Sequence, residues 1–365
     1  MLNAQKGIGA RPKKDQGQYG DMSSAIELGL DTFGDVTADG NGNLLPMAQV
    51  LRDLVEQGVL ADQIGLAFIG LGEHHRPDFS VSAPEVVLAA IAARTKNIHL
   101  GSAVTVLNSD DPIRVFERFS TLNAISNGRA EVLVGRGSFT ESFPLFGLDL
   151  GQYEELFEEK LEIFAALARQ STVTWSGQYR PPLTNQKVYP PIETGELRTW
   201  IAVGGTPQSV VRAAYYGFPL MLAIIGGSAK RFVPFADLYQ RASEKAEKTP
   251  GPIGCHSPGH VAATDEQAKE DLWPHYEGLM NRIGSERGWP PIGRAHFERE
   301  AGPDGALYCG SPETVARKIA ATVKDLGLSR FDLKYANGTM PHAKLMTSIE
   351  LYGTKVVPLV REMVG

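Results

Sequence analysis

The chain has 365 residues, of which 42% are hydrophobic and 21% are charged, and its formal net charge is −6. This length can bury a large core and suits either one large barrel or two ordinary domains. The acidic balance argues against binding to nucleic acid or to an anionic membrane surface. Cys255 and Cys309 form neither a disulfide framework nor a zinc-binding spacing. No apolar run is as long as a bilayer span and the N-terminus lacks a signal-like core, so we expect a cytoplasmic globular protein.

The N-terminal segment differs from the rest of the chain. Residues 1–22 are polar, rich in glycine and without hydrophobic periodicity. We therefore expect a flexible N-terminal arm over 1–22, followed by a single folded domain over 23–365.

Strand-like apolar runs then alternate with amphipathic helical segments. Eight candidate strands cover residues 26–31, 66–71, 98–104, 130–135, 198–203, 219–224, 259–263 and 330–335. At least one helix separates each strand from the next, and this alternation favours parallel pairing. Eight such units predict an α/β fold of the (β/α)₈ TIM-barrel type, with a doubly wound open sheet as the alternative.

Two stretches are longer than the connections that a minimal (β/α)₈ barrel needs. Residues 172–191 (TVTWSGQYRPPLTNQKVYPP) predict a hairpin-like excursion, and residues 282–310 form a long segment broken by glycine and proline. Insertions of this length in a compact domain are commonly lids or binding segments, so 282–310 is a candidate lid.

The segment GLGEHHRPDF, residues 70–79, follows a buried strand and places Glu73, His74 and His75 at its carboxyl end. Active sites of TIM barrels lie at this end. Adjacent residues of an extended segment point to opposite sides, so only one histidine can face a given ligand. No further metal-ligand spacing accompanies the pair. The pattern therefore favours a histidine that acts as an acid or base over a metal site. A structural histidine that caps backbone carbonyls is the alternative.

Three other strand ends carry weaker signals. Ser102, Ala103 and Val104 are small residues that leave room for a flat group. In Gly135-Arg136-Gly137-Ser138, glycines flank a guanidinium that suits an anion. Gly204-Gly205-Thr206-Pro207, with Ser209, predicts a helix N-terminus able to receive phosphate, although neither a Walker loop nor a GxGxxG fingerprint is present. Taken alone, each could be tight packing, an ordinary turn or a well-made helix start.

Together these motifs resemble the luciferase-like flavin monooxygenase family, typified by bacterial luciferase subunits and alkane monooxygenases. The similarity rests on GLGEHH, on LGSAV followed by DDP, on VGRGS, on AVGGTPQS and on the C-terminal GSPETVARKIAATVKDLGLSRFDLKY. It runs in order from about Ile26 to Val360, and the two excursions are least alike.

The resemblance implies a TIM barrel that binds FMN at the carboxyl ends of its strands. By that resemblance His74 is the catalytic histidine beside the reactive flavin carbon, and Glu73 is the carboxylate next to it. Ala103 and Val104 match the family's non-proline cis peptide under the flavin ring. The remaining cofactor-binding positions are Arg136, Gly137 and Ser138, and Gly205, Thr206 and Ser209 around the phosphate.

Two positions depart from the family pattern. Glu154 stands where some members have a second phosphate-binding arginine, so Arg136, the helix N-terminus and Lys230 or Arg231 must supply the positive charge. Gly135 stands where luciferase subunits carry a reactive cysteine. Light emission is therefore not implied.

The resemblance predicts an FMN-dependent monooxygenase or oxidoreductase that uses O₂ and a small organic substrate. Reduced FMN would come from a separate flavin reductase or from NAD(P)H, and His74 is expected to titrate near neutrality. A deazaflavin-dependent hydride transfer and a non-catalytic flavin-binding protein are the alternatives. A homodimer is expected through the helices that carry Val86, Val87, Leu88 and Ile91, and Phe116, Phe119 and Leu122.

Overall fold

A computed structural model describes residues 26–169 and 172–365. The predicted N-terminal arm, residues 1–22, lies outside the described residues. Twelve strands are present in the described part: β1 Glu27–Thr32, β2 Phe68–Leu71, β3 His99–Ser102, β4 Thr105–Val106, β5 Ala130–Gly135, β6 Val173–Trp175, β7 Leu183–Gln186, β8 Arg198–Val203, β9 Leu220–Ala223, β10 Ile253–Val261, β11 Tyr308–Gly310 and β12 Arg330–Lys334.

Twelve α-helices accompany the strands in the described ranges. They are α1 Met47–Gln63, α2 Pro84–Ala92, α3 Pro112–Ile125, α4 Ser142–Leu145, α5 Tyr153–Leu167, α6 Pro207–Tyr216, α7 Val233–Lys245, α8 Asp265–Arg287, α9 Arg294–Ala301, α10 Pro312–Leu326, α11 His342–Leu351 and α12 Val357–Val364. Three short 3₁₀ turns and one π-helical turn, Tyr352–Val356, complete the helical structure of the described residues.

Eight parallel strands close into a barrel in the order β1, β2, β3, β5, β8, β9, β10 and β12, with β12 pairing back to β1. The register is continuous; for example, Leu30 of β1 lies opposite Ile69 of β2 and Leu333 of β12. The predicted TIM-barrel fold is therefore confirmed, and the open-sheet alternative is wrong. Each predicted strand has its counterpart, although β10 begins six residues before the predicted 259–263.

The two long excursions have different structures. Within residues 172–191, β6 and β7 pair as an antiparallel hairpin. Residues 282–310 differ from the broken loop that their glycines and prolines predict, since α8 continues to Arg287 and α9 follows at Arg294–Ala301. Gly284 is buried inside α8, and Gly288, with φ 67°, ends that helix in the left-handed conformation. Gly288 therefore ends α8, because its backbone leaves the helical conformation, whereas Gly284 stays within the helix.

The amino end of the barrel is filled by charged and aromatic side chains. Arg330, which is fully buried, pairs with Glu131 at 2.7 Å and with Asp332 at 2.9 Å. Arg198 adds a second contact to Glu131 at 2.9 Å. The Arg330 guanidinium also stacks 3.5 Å from the centre of the Phe68 ring. Burial opposes ionisation of Glu131, but the two arginines outweigh it and hold the pKa of that carboxyl well below its usual range.

The apolar faces expected to form a subunit contact are largely buried within one chain. Among the residues of α2 and α3 named for that contact, only Val86 is strongly exposed, at 70%. Leu88, Ile91, Phe116, Phe119 and Leu122 are buried in the chain's own core. These five side chains pack within the chain, and the homodimer through the two helices stays a prediction. Among the described residues, no helix is long and apolar enough to cross a bilayer.

Candidate active site

A cavity of about 370 Å³ opens at the carboxyl ends of the barrel strands. Its walls come from the ends of β1, β2, β5, β8, β9, β10 and β12 and from one side of α8. Of the ten residues predicted for the site, eight line this cavity: Glu73, His74, Ala103, Val104, Arg136, Gly137, Ser138 and Ser209. Gly205 and Thr206 lie beside it at the start of α6.

His74 follows β2 and faces the cavity among aromatic rings. Its ring centre lies 4.6 Å from that of Phe33, 4.7 Å from Phe79 and 5.2 Å from Phe139. Burial, reinforced by the positive charges of Lys334 and Arg76, lowers the pKa of His74 to about 3. The expectation that this side chain titrates near neutrality is therefore wrong. At neutral pH its imidazole is uncharged, with one ring nitrogen able to donate and the other able to accept.

His75 is held by Glu73 and does not line the cavity. Its Nε2 lies 2.9 Å from Glu73 Oε1, and its ring packs edge-on against Phe146 at 5.1 Å. The Glu73 hydrogen bond outweighs burial and raises the pKa of His75. The other carboxylate oxygen of Glu73 accepts from the Val106 amide at 2.9 Å. Glu73 is thus engaged by protein groups at both oxygens, which makes it a positioning residue for this strand end.

Ala103 and Val104 are joined by a cis peptide bond on the cavity wall. The Val104 carbonyl accepts a hydrogen bond from the Glu73 amide at 3.0 Å, which fixes this segment beside His74. Gly135 lies next to it: a Cβ on Gly135 would come within 2.9 Å of a Val104 methyl. A side chain at position 135 would therefore displace Val104, and glycine is the residue that fits this close approach.

The side chains of Arg136, Thr206 and Ser209 form a polar cradle at one edge of the cavity. Arg136 donates to Thr206 Oγ1 at 3.2 Å and also pairs with the exposed Glu154. Thr206 Oγ1 and Ser209 Oγ are 2.8 Å apart. Thr206 occupies the N-cap position of α6, but its hydroxyl bonds to Ser209 rather than to a backbone amide. No N-cap side chain therefore accepts a hydrogen bond from the backbone amides in the first turn of α6.

Space is open above the cradle. Gly205 has φ 137°, and neither Gly204 nor Gly205 has an atom within 4 Å of where a Cβ would stand. Arg212, one turn further along α6, donates to Ser209 Oγ at 3.2 Å and pairs with Glu158. Lys230 and Arg231, the predicted alternative cations, do not line the cavity.

The loop after β5 is tied down from two sides. The Tyr153 hydroxyl donates towards the carbonyls of Arg136 at 3.1 Å and Gly137 at 2.7 Å. Arg287, at the end of α8, donates to the Ser138 carbonyl at 3.1 Å and stacks over Phe139. These contacts hold the Gly137 turn, whose φ is 71°.

A second polar cluster, which we call the cavity floor, consists of Asp31, His256 and Lys334. Asp31 Oδ2 is 2.5 Å from His256 Nδ1, and both residues line the cavity. Lys334 donates to Asp35 at 3.1 Å and also to the Ala336 carbonyl. Burial is the main cause that raises the pKa of Asp35, although Lys334 opposes it.

The outer wall of the cavity is one side of α8. It contributes Tyr276, Leu279, Met280, Ile283 and Arg287, and Trp289 follows the helix. These residues recur at intervals of three and four, which places them on one helical face. Among the described residues, no group of three or more His, Cys, Asp or Glu side chains is arranged to hold a metal ion.

Several of these residues carried no recognisable signal in the sequence. Tyr153 and Arg287 reach the site from helices whose polar residues look like ordinary solvent-facing positions. Asp31, His256 and Lys334 come from three strands far apart in sequence, so only barrel closure brings them together. Arg212 could have been found, because it lies three residues after Ser209 and shares its helical face.

A closed parallel barrel with a polar cavity at the carboxyl ends of its strands is the arrangement of a TIM-barrel enzyme. The model of the family described as luciferase-like monooxygenase matches residues 31–330. The chain therefore belongs to the luciferase-like monooxygenase family. Its relatives include the 4-hydroxyprotoasukamycin monooxygenase of Streptomyces nodosus, which is 26% identical over 70% of each chain.

Solved structures share the fold at lower identity. The oxygenating constituent of 3,6-diketocamphane monooxygenase from Pseudomonas putida, solved in complex with FMN, superposes with a TM-score of 0.74 at 19% identity. That alignment covers 92% of this chain and 98% of the other. An F420-dependent secondary alcohol dehydrogenase superposes with a TM-score of 0.71 at 16% identity, over 92% of this chain and 99% of the other.

Proposed function

We propose that this protein is an FMN-dependent monooxygenase that uses reduced FMN and O₂ to oxygenate a small organic substrate. The observation that carries the proposal is the placement of Arg136, Thr206 and Ser209 as a cradle at the edge of the cavity that His74 faces. When bound, reduced flavin would supply the reaction with O₂, which no amino-acid side chain provides. A flavin reductase or NAD(P)H would supply the reduced form.

The residues present fit a phosphate monoester. Arg136 provides a guanidinium, Thr206 and Ser209 provide hydroxyls, and the first turn of α6 provides uncapped amides. The open space above Gly204 and Gly205 admits the phosphate oxygens. Glu154 already places a carboxylate on Arg136, and it is 55% exposed on its side chain. A phosphate would take over that position, because Glu154 can turn into solvent at little cost.

His74 would hold or move a proton at the reacting end of the cavity. Its ring is neutral at physiological pH and makes no hydrogen bond within the described residues, so both nitrogens remain free for a ligand. Three phenylalanine rings surround this position and make its environment largely apolar. The end of α8, including Ile283, Arg287 and Trp289, would cover the cavity as the lid expected from 282–310.

A deazaflavin-dependent hydride transfer is the second candidate, favoured by the similarity of the barrel to an F420-dependent dehydrogenase. The decisive experiment titrates the purified protein with FMN, reduced FMN and a deazaflavin, and then measures product formation in air. We expect the tightest binding for FMN or its reduced form, and oxygen consumption coupled to substrate. Binding of the deazaflavin alone would contradict the proposal, and flavin binding without any O₂-dependent turnover would favour a non-catalytic flavin-binding protein.

We further propose a cytoplasmic homodimer. The exposed apolar residues Val86 and Ile125 on α2 and α3, 70% and 57% exposed, support it. Sedimentation at micromolar concentration should give twice the 39.5 kDa chain mass. A Val86→Lys variant should shift that distribution towards monomer, and a wild-type monomer would refute the proposal.

A further inference from the structure

The cavity floor lies across the barrel from the cradle. The cradle residues follow β5 and β8, whereas Asp31, His256 and Lys334 come from β1, β10 and β12. Around the barrel, β9 separates the two groups in one direction, and β2 and β3 separate them in the other. A ligand phosphate held in the cradle therefore leaves the floor available for a second molecule.

The floor is rich in hydrogen-bond acceptors. A carboxylate accepts hydrogen bonds, so the Nδ1–H of His256 donates to Asp31 Oδ2 across their 2.5 Å contact, and in the tautomer that carries its proton on Nδ1 the Nε2 nitrogen is an acceptor. Asp31 Oδ1 is buried and has no partner within the described residues. The amide nitrogen of Asn337 donates to two backbone carbonyls at 3.1 Å, which leaves its side-chain oxygen as a further acceptor.

The one cation at the floor is already engaged. Lys334 contacts both carboxylate oxygens of Asp35 and the Ala336 carbonyl, which accounts for the three donors of an ammonium group. The floor thus offers hydrogen-bond acceptors to a ligand, whereas its hydrogen-bond donors are already bonded to protein groups. Apolar side chains frame it, since the Phe33 ring stacks 6.2 Å from His256, and Leu279 and Met280 stand on the α8 side.

We propose that the floor is the substrate subsite and that it takes an aromatic substrate carrying a hydroxyl group, which donates its hydrogen bond to Nε2 of His256. Asp31 acts as the positioning residue that keeps the proton on Nδ1. The proposal rests on the proposed function, because it concerns the substrate of the same cavity. A phenol fits better than an ether of the same shape, because an ether oxygen would leave the buried acceptors without a donor.

The test compares 4-propylphenol with its methyl ether by calorimetric titration of the protein in saturating oxidised FMN. We expect the phenol to bind about tenfold more tightly, the ratio that one unmatched buried acceptor produces. His256→Phe should reduce the preference to within about twofold. Equal affinities in the wild type, no phenol binding in the millimolar range, or an intact preference in H256F would each overturn the proposal.

A second variant, Asp31→Asn, keeps the shape of the Asp31 side chain and changes its hydrogen bonding. An asparagine amide donates to His256 Nδ1, which moves the ring proton to Nε2 and turns the acceptor into a donor. The preference for the phenol should then disappear while thermal melts and FMN affinity stay close to wild type. A preference that persists in D31N refutes the role of this pair. FMN is titrated into every variant, so absent flavin binding refutes the proposed function, and normal flavin binding without the phenol preference refutes only this subsite.

Discussion

The two ends of the barrel both contain buried charges but use them differently. At the amino end, Arg330, Glu131, Asp332 and Arg198 are paired with one another and sealed by Phe68. At the carboxyl end, Asp31 keeps an unpartnered oxygen among the described residues, and His74 keeps its ring nitrogens free. Buried charge alone therefore does not mark a site. We expect a ligand where groups without a protein partner also line the cavity, as Asp31 and His74 do.

The comparison has an energetic reason. A buried ion network is stable only while each charge keeps its partners, so its members stabilise the fold and are not available for ligands. Unpartnered polar groups cost stability in the free protein and recover it when a ligand supplies the missing hydrogen bond. Substitutions at the amino end should therefore affect unfolding, and those at the carboxyl end should affect binding and turnover.

The largest effect is expected at the amino end. Arg330→Met removes the cation that pairs with buried Asp332 and one of the two guanidinium groups that pair with Glu131, which should lower the free energy of unfolding by about 3–5 kcal/mol. Chemical denaturation measures this. Arg114→Ala, which removes an exposed pair with Glu117, is the control and should change stability by less than about 0.5 kcal/mol. Similar losses in the two variants would contradict the assignment of the network.

At the carboxyl end, the two histidines should separate. His74→Ala should lower product formation from reduced FMN and O₂ by about a hundredfold, equivalent to roughly 2.7 kcal/mol, with flavin affinity nearly unchanged. Rapid mixing of the reduced complex with O₂ and substrate provides the rate. His75→Ala is the matched control, since it removes an adjacent imidazole that does not line the cavity. A greater loss of rate in the His75 variant would reverse the assignment.

Arg136→Ala should weaken FMN binding about ten- to a hundredfold, because the phosphate loses a charge-assisted hydrogen-bond donor. Flavin fluorescence titration measures the affinity. Arg231→Ala removes the same charge from a residue that does not line the cavity, and should leave the affinity within about twofold of wild type. Unchanged binding in the Arg136 variant would rule out the cradle as the phosphate site.

His75 should stabilise the protein in a pH-dependent way. Its hydrogen bond to Glu73 raises the folded-state pKa above the ordinary value of 6.5, so the stabilisation is fully present below 6.5 and is lost as pH rises through the folded pKa. His75→Gln should therefore cost about 1 kcal/mol near pH 6 and less near pH 9. Urea unfolding at the two pH values tests the sign. An equal cost at both would show that the charged pair contributes nothing.

The smallest effect concerns the competing carboxylate. Glu154→Gln should strengthen FMN binding about threefold, because the exposed pair with Arg136 no longer has to be broken. Glu155→Gln changes the net charge equally from the neighbouring position and should leave the affinity unchanged. Weaker binding in the Glu154 variant would mean that this carboxylate orients Arg136 for the ligand rather than competing with it.

The sequence predicted the barrel and the groups contributed by a single strand end. The alternation of apolar runs with amphipathic segments located all eight barrel strands. Similarity to the family's motifs selected His74, Arg136 and the start of α6. The floor could not be predicted, because Asp31, His256 and Lys334 meet only through long-range strand pairing. The shifted pKa of His74 was equally invisible, since it depends on aromatic residues from three separate segments. The end of α8 was missed because the glycines and prolines of residues 282–310 indicated a broken loop.

The α8 face has a consequence for how this enzyme could be altered. Tyr276, Leu279, Met280 and Ile283 belong to one helix that contributes no residue to the cradle or to the Asp31–His256 pair. The size and shape of accepted molecules can therefore vary through a few positions on one exchangeable wall. A library that randomises these four positions should yield altered substrate ranges at a much higher frequency than one directed at the strand ends that carry the cradle, where substitutions would also disturb cofactor retention.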